Sequence, residues 1–152
     1  MKINVDLVKD LRENTGAGIM ECRKALMDNN GDLNKAKECI KKLGIEKAEK
    51  KAGRETSEGL IETYIHATGK VGAMVELTCE TDFVARTEEF KKLAHEIAMQ
   101  IASMSPRDVE SLLKQEYIRD PSMTISFLIK QLVAKVGENI VVKRFFRMEL
   151  GS

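Results

Sequence analysis

Apolar residues recur at spacings of three and four through the first 44 positions, alternate with polar ones between residues 58 and 80, and then return to helical spacing. The first stretch divides into three short helices. Asn4 is placed to cap a helix with Leu7, Val8 and Leu11 on one face, and Thr15, Gly16 and Gly18 break the pattern. Ile19, Cys22 and Leu26 mark a second helix, which ends at Asn29-Asn30-Gly31 and hands over to Asp32 as the next N-cap. In the third, Leu33, Ala36, Ile40 and Leu43 form one stripe with Gly44 at its end. Residues 45 to 57 are mostly charged and lack a continuous apolar stripe, so they read as a solvated connector in which helix is permitted but not required.

Period two then takes over. Gly59, Ile61, Thr63 and Ile65 alternate with Leu60, Glu62, Tyr64 and His66. Beyond the turn at Thr68-Gly69-Lys70, the residues Val71, Ala73, Val75, Leu77 and Cys79 alternate with smaller or polar ones, which predicts a hairpin. Residues 87 to 104 predict a long helix through Phe90, Leu93, Ala94, Ile97, Ile101 and Met104, stopped at Ser105-Pro106. A weaker helical piece from Val109 to Tyr117 ends at Asp120-Pro121. Phe127, Leu128, Leu132 and Val136 mark another helix ending at Gly137, and Asn139 to Leu150 reads as a last strand. The expected fold class is α+β, a three-helix module at 1–44, a charged connector at 45–57, and a core domain at 58–152 with a small antiparallel sheet covered by helices.

Composition narrows the function. With 25 Lys+Arg against 24 Asp+Glu the formal net charge is +1, which argues against a chain whose main work is coating nucleic acid. The charge is uneven: 13 basic against 10 acidic residues up to Thr56, then 12 against 14, with six Lys/Arg against two Glu between Lys41 and Arg54. That stretch is either a solvated face or a patch for an acidic partner, the solvated face being the commoner case. Cys22, Cys39 and Cys79 are far apart and odd in number, which fits reduced thiols better than a disulfide framework. No run approaches the roughly 18 apolar residues of a membrane span, and the first residues lack a signal-peptide pattern. The expected setting is cytoplasmic, with no membrane partner.

No phosphate-cradling glycine loop, GxSxG or HExxH occurs, since His95-Glu96 is followed by Met99 where a second His would be needed. His66 and His95 are isolated in sequence. An enzyme therefore has no named nucleophile, base or metal ligand to stand on.

Two segments carry a more specific message, Leu11 to Leu26 (LRENTGAGIMECRKAL) and Glu76 to Phe90 (ELTCETDFVARTEEF). Together with Gly137-Glu138-Asn139-Ile140 and Lys143-Arg144, the chain resembles the bacterial elongation factor Ts family, guanine-nucleotide exchange factors for elongation factor Tu. The resemblance covers nearly everything outside roughly 105 to 125. There, relatives usually carry a much longer insertion that serves dimerisation or extra partner contacts, and only about twenty residues bridge the gap in this chain. Thr78 and Thr87 stand where the family often has Asn.

The resemblance implies that residues 1–44 form a module similar to ubiquitin-associated domains that binds the nucleotide domain of elongation factor Tu. Its surface would be Arg12, Thr15, Gly16, Ala17, Gly18, Ile19 and Met20. A second contact would be Thr81, Asp82, Phe83 and Val84, with the Asp-Phe pair entering the partner between two helices near its magnesium and phosphate site. There Asp82 would compete for or reposition partner groups and Phe83 would act as an apolar wedge, without covalent chemistry. For a Phe at such a junction, considered without the family, burial under the helix is the commoner outcome. The implied partner is elongation factor Tu, GDP-bound and nucleotide-free, with no catalytic residue, cofactor, metal or direct nucleic-acid contact, and the chain a monomer or weak homodimer. Two other readings stand beside it: an adaptor using the three-helix module to recruit a protein, and an RNA-binding module built on Lys41 to Arg54, which the net charge and the few aromatics disfavour.

Overall fold

The computed structural model describes residues 2–152. The first two helices, α1 (Val5–Thr15) and α2 (Ile19–Asp28), form as the pattern predicts. Asn4 accepts from the Asp6 N–H at 2.9 Å to cap α1, and Gly16 closes it in the left-handed conformation at φ 72°. These helices and the start of α3 (Leu33–Lys51) enclose a small core of Leu11, Cys22, Ala25, Leu26 and Ala36.

The third helix departs from expectation. Gly44 does not end it: α3 runs to Lys51, so most of the expected connector is its C-terminal half. The reason is a change of neighbour along one helix. Leu33, Ala36 and Ile40 serve the small core, whereas Ala48, 5% exposed, joins the larger one. Between them, a Cβ on Gly44 would lie 3.7 Å from the Ala134 Cβ on α7 (Ile125–Val136), an ordinary van der Waals contact, so α3 packs against α7 at this point. Leu43, expected on the stripe, is exposed. The charges of this half are partly satisfied within the molecule: Lys47 pairs with Glu21, Lys41 lies 4.5 Å from the centre of the Phe127 ring, and Lys130 and Glu49 are 3.9 Å apart.

The hairpin of β1 (Glu58–Ile65) and β2 (Val71–Cys79) forms as expected, and β5 (Ile140–Glu149) adds antiparallel to β2, giving the order β1-β2-β5. Ala73, Val75, Leu77 and Cys79 point inward with Leu60 and Tyr64. Ile61, Ile65, Met74, Phe146 and Met148 lie on the open face, the half-solvated arrangement common in antiparallel sheets. The covered face packs on α5 (Glu88–Met104), whose Phe90, Ala94, Ile97 and Ile101 are fully buried, while Met104 at its last turn is exposed. Among the described residues no helix is long and apolar enough to cross a membrane.

The bridge between α5 and α7 also differs from its reading. Helix α6 (Val109–Lys114) is short, and the chain then forms a ribbon, β3 (Glu116–Tyr117) with β4 (Asp120–Thr124), so Pro121 lies inside a strand. A two-stranded ribbon tolerates proline because both strands are edges. Buried polar groups on α5 hold it there. The Gln100 amide donates to the Gln115 side chain at 3.1 Å and the Glu116 carbonyl at 3.0 Å, and accepts from the Ile118 N–H at 3.1 Å. Glu96 accepts from the Tyr117 hydroxyl and Arg119 Nε, both at 2.6 Å. Burial and this carboxylate push the Tyr117 hydroxyl well above its ordinary pKa.

Candidate functional site

The two implied contact regions are built differently. In the N-terminal one, the Gly16 turn lets α2 start directly after α1. Gly18 supplies no side-chain cap, and the first turn of α2 projects Ile19 and Met20 outward, 53% and 72% exposed. Arg12, Gly16 and Gly18 are exposed, while Thr15 and Ala17 are half-buried. The Thr15 hydroxyl donates to the Leu11 carbonyl at 2.6 Å and accepts from the Ala17 N–H at 3.3 Å, which orders the turn from within. Behind it lies a cleft of about 460 Å³ between the turn, α3 and α7, bordered by Lys37, Lys41, Phe127 and Lys135. Lys135 pairs with Glu89 on α5 at 3.1 Å, tying this side of the molecule to the element that follows the second region.

In the second region a four-residue helix, α4 (Asp82–Ala85), intervenes between β2 and α5, which the sequence pattern showed only as a junction. Thr81 caps it, its hydroxyl accepting from the Val84 N–H at 3.4 Å. Thr87 closes it and opens α5, its hydroxyl donating to the Val84 carbonyl at 2.7 Å and accepting from the Phe90 N–H at 3.2 Å. One turn of helix places successive side chains about 100° apart, so Val84 and Ala85 enter the core while Asp82 and Phe83 face water. Phe83 is 75% exposed. The Arg86 guanidinium bonds Asp82 at 2.6 Å and lies 5.6 Å from the centre of the Phe83 ring, holding both residues at one edge of the turn. Val84, named with the contact residues, is 9% exposed and packs in the larger core beneath them.

A carboxylate from another element completes this turn. Glu138 follows Gly137, whose left-handed φ of 77° ends α7 and redirects the chain into β5. One of its oxygens accepts from the Glu80 N–H at 3.1 Å and the Thr81 N–H at 2.9 Å, and the other accepts from the Thr81 hydroxyl at 2.7 Å. Glu80 answers by accepting from the Asn139 N–H at 2.6 Å, and the Asn139 amide donates to the Arg54 carbonyl at 2.9 Å. Burial, and then the charge of Glu138, push the Cys79 thiol up to about 11. In the sequence Glu138 belonged to a recognisable motif, but no periodicity marks a carboxylate that works 57 residues away.

Comparison with known proteins gives this geometry its context. A family model described as Elongation factor TS matches residues 80–152, which hold the Thr81 turn, Glu138 and β5. The chain is 45% identical to Elongation factor Ts of Coprothermobacter proteolyticus and 43% identical to that of Fervidobacterium nodosum, each alignment covering all of both chains. The family is thereby decided. The chain belongs to the elongation factor Ts family. A Thermoanaerobacter elongation factor Ts is 41% identical over 99% of this chain and 96% of its own length. These alignments extend over 195 to 197 positions against the 152 residues present here, so the elongation factor Ts relatives carry residues that this chain lacks, in keeping with the short bridge between α5 and α7. As a member of the elongation factor Ts family the chain is a translation elongation factor.

Proposed function

We propose that this chain is a guanine-nucleotide exchange factor that binds elongation factor Tu, GDP-bound and nucleotide-free, and promotes GDP release by binding alone, without covalent chemistry. The observation that carries the reading is Phe83, a large apolar side chain 75% exposed on a turn whose polar groups are clamped from both sides. Leaving such a side chain in water forgoes about 1.5–3 kcal/mol of burial, which a partner can recover. Inverting a two-state balance from 1:99 to 99:1 takes roughly 5.5 kcal/mol of differential binding, so Phe83 does not act alone. Ile19 and Met20, with Arg12 and the Thr15–Gly18 turn, supply grip, while Phe83 and Asp82 direct part of the binding energy against the GDP-bound state. If the factor weakens GDP binding to its partner, GDP weakens the factor's binding equally, so exchange passes through a transient ternary complex.

The chain needs no cofactor in this scheme and works in the cytoplasm as a monomer or weak homodimer. Any dimer forms without a bridge through Cys22 or Cys79, which are buried, and leaves Cys39 as the exposed thiol. Release of fluorescent GDP from elongation factor Tu tests the reading: the rate rises with added protein to a plateau well above the unassisted rate. An unchanged rate at saturation overturns it. Binding without faster release would instead favour an adaptor, a reading that the exposed Ile19 and Met20 by themselves also allow.

A further inference from the structure

We infer that Glu138 is a positioning residue for exchange: its carboxylate sets the orientation of the α4 turn and thereby presents Phe83 and Asp82 to the partner. The inference rests on the exchange reading above and extends it to a residue in no contact surface considered so far.

The geometry forms a relay. Glu138 takes three hydrogen bonds at once, from the Glu80 N–H, the Thr81 N–H and the Thr81 hydroxyl, at 3.1, 2.9 and 2.7 Å. Because the Thr81 hydroxyl spends its proton on Glu138, its oxygen is turned to accept from the Val84 N–H, the bond that caps α4. A carboxylate suits this place because bonds to an ionised acceptor are shorter and roughly twice as strong as neutral ones. The Cys79 thiol adds a 3.1 Å bond to the Thr81 carbonyl, so both polar groups of the Thr81 backbone are held. An isolated turn of four residues has almost no helical stability of its own, since nucleation costs more than one bond returns. What α4 keeps of a single orientation comes from its caps and from Val84 and Ala85 beneath. Glu138 is itself delivered by the left-handed Gly137 at the end of α7 and by the start of β5, so one side chain ties the exposed turn to the junction of α7 and β5. A wedge that swings freely would lose its orientation entropy on each encounter, and a fixed one does not.

The test uses the full chain. Glu138→Ala lowers the plateau rate of GDP release about tenfold, and Glu138→Gln about threefold, because the amide retains one acceptor but cannot take the hydroxyl proton. The half-saturating concentration changes less than the plateau. In a double-mutant cycle, Phe83→Ala with Glu138→Ala is within about twofold of Phe83→Ala alone, since the carboxylate acts through the ring. The chain has no tryptophan, so Phe83→Trp is the sole indole, and its fluorescence anisotropy falls when Glu138→Gln is added. Thermal unfolding accompanies each variant, and Glu138→Gln decides the matter if Glu138→Ala fails to fold. Rate losses that multiply in the double mutant, or anisotropy unchanged by Glu138→Gln, overturn the inference. If Phe83→Ala itself exchanges like wild type, the wedge role of Phe83 falls and the anisotropy alone judges whether Glu138 holds the turn.

Discussion

The first turn of α2 and the α4 turn both present large apolar side chains to water, yet they are supported in opposite ways. Ile19 and Met20 open a ten-residue helix over a five-residue core, and the cap before them is a glycine with no side-chain bond. Phe83 stands on four residues of helix, capped by Thr81, closed by Thr87 and clamped by Glu138 from another element. A surface that only has to grip can be the side of an ordinary helix. A side chain that has to arrive in one orientation needs neighbours that leave its backbone no alternative, and those neighbours come from distant parts of the chain.

The largest expected effect separates exposed from buried phenylalanine. Phe83→Ala slows stimulated GDP release by roughly one to two decades, each 1.36 kcal/mol being about tenfold in rate, and leaves the unfolding midpoint near wild type. Phe90→Ala, at 0% exposure only seven residues on, costs about 3–5 kcal/mol of stability. A large fall in midpoint for Phe83→Ala would remove the contrast. A smaller effect sharpens grip against wedge. Met20→Ala raises the half-saturating concentration by roughly fivefold, from about 1 kcal/mol of lost contact, and leaves the plateau rate nearly intact. A plateau that falls with the affinity unchanged would mean that the first turn of α2 also takes part in release.

The smallest effect concerns the support beneath the second region. The Cys79 thiol rises from the ordinary 9.0 to about 11, through burial first and the charge of Glu138 second. Below pH 9 both the folded and unfolded chains keep this proton, so its contribution is constant. Between pH 9 and 11 the unfolded chain loses it first, so stability falls as pH rises through this window. Denaturant midpoints measured across the window show this decline in the wild type and a smaller one in Cys79→Ala. At neutral pH, iodoacetamide modifies the exposed Cys39 ahead of the buried Cys22 and Cys79. Equal rates at all three thiols would mean that the two cores open together.

The sequence by itself determined α1, α2, α5, α7 and the three strands of the main sheet, because amphipathic periods of 3.6 and 2 are local and their stops are chemical: Asn4, Asp32, Thr87 and Gly137 act on backbone groups within a few residues. The motif Thr81-Asp82-Phe83-Val84 was equally visible, as was the pattern of inward residues on β2. Tertiary structure decided what lies beyond the reach of a local period. The helix continues past Gly44 because Ala48 finds a place in the larger core, and residues 115 to 124 turn into a ribbon because buried Gln100 and Glu96 need partners. Phe83 points outward because Val84 fills the core beneath it, and its turn is held by Glu138, a residue whose partners lie 57 and 58 positions earlier in the chain. Hydrophobic period tells a residue which face it is on, whereas the identity of whatever covers that face, or satisfies its polar groups, is settled only when distant segments meet.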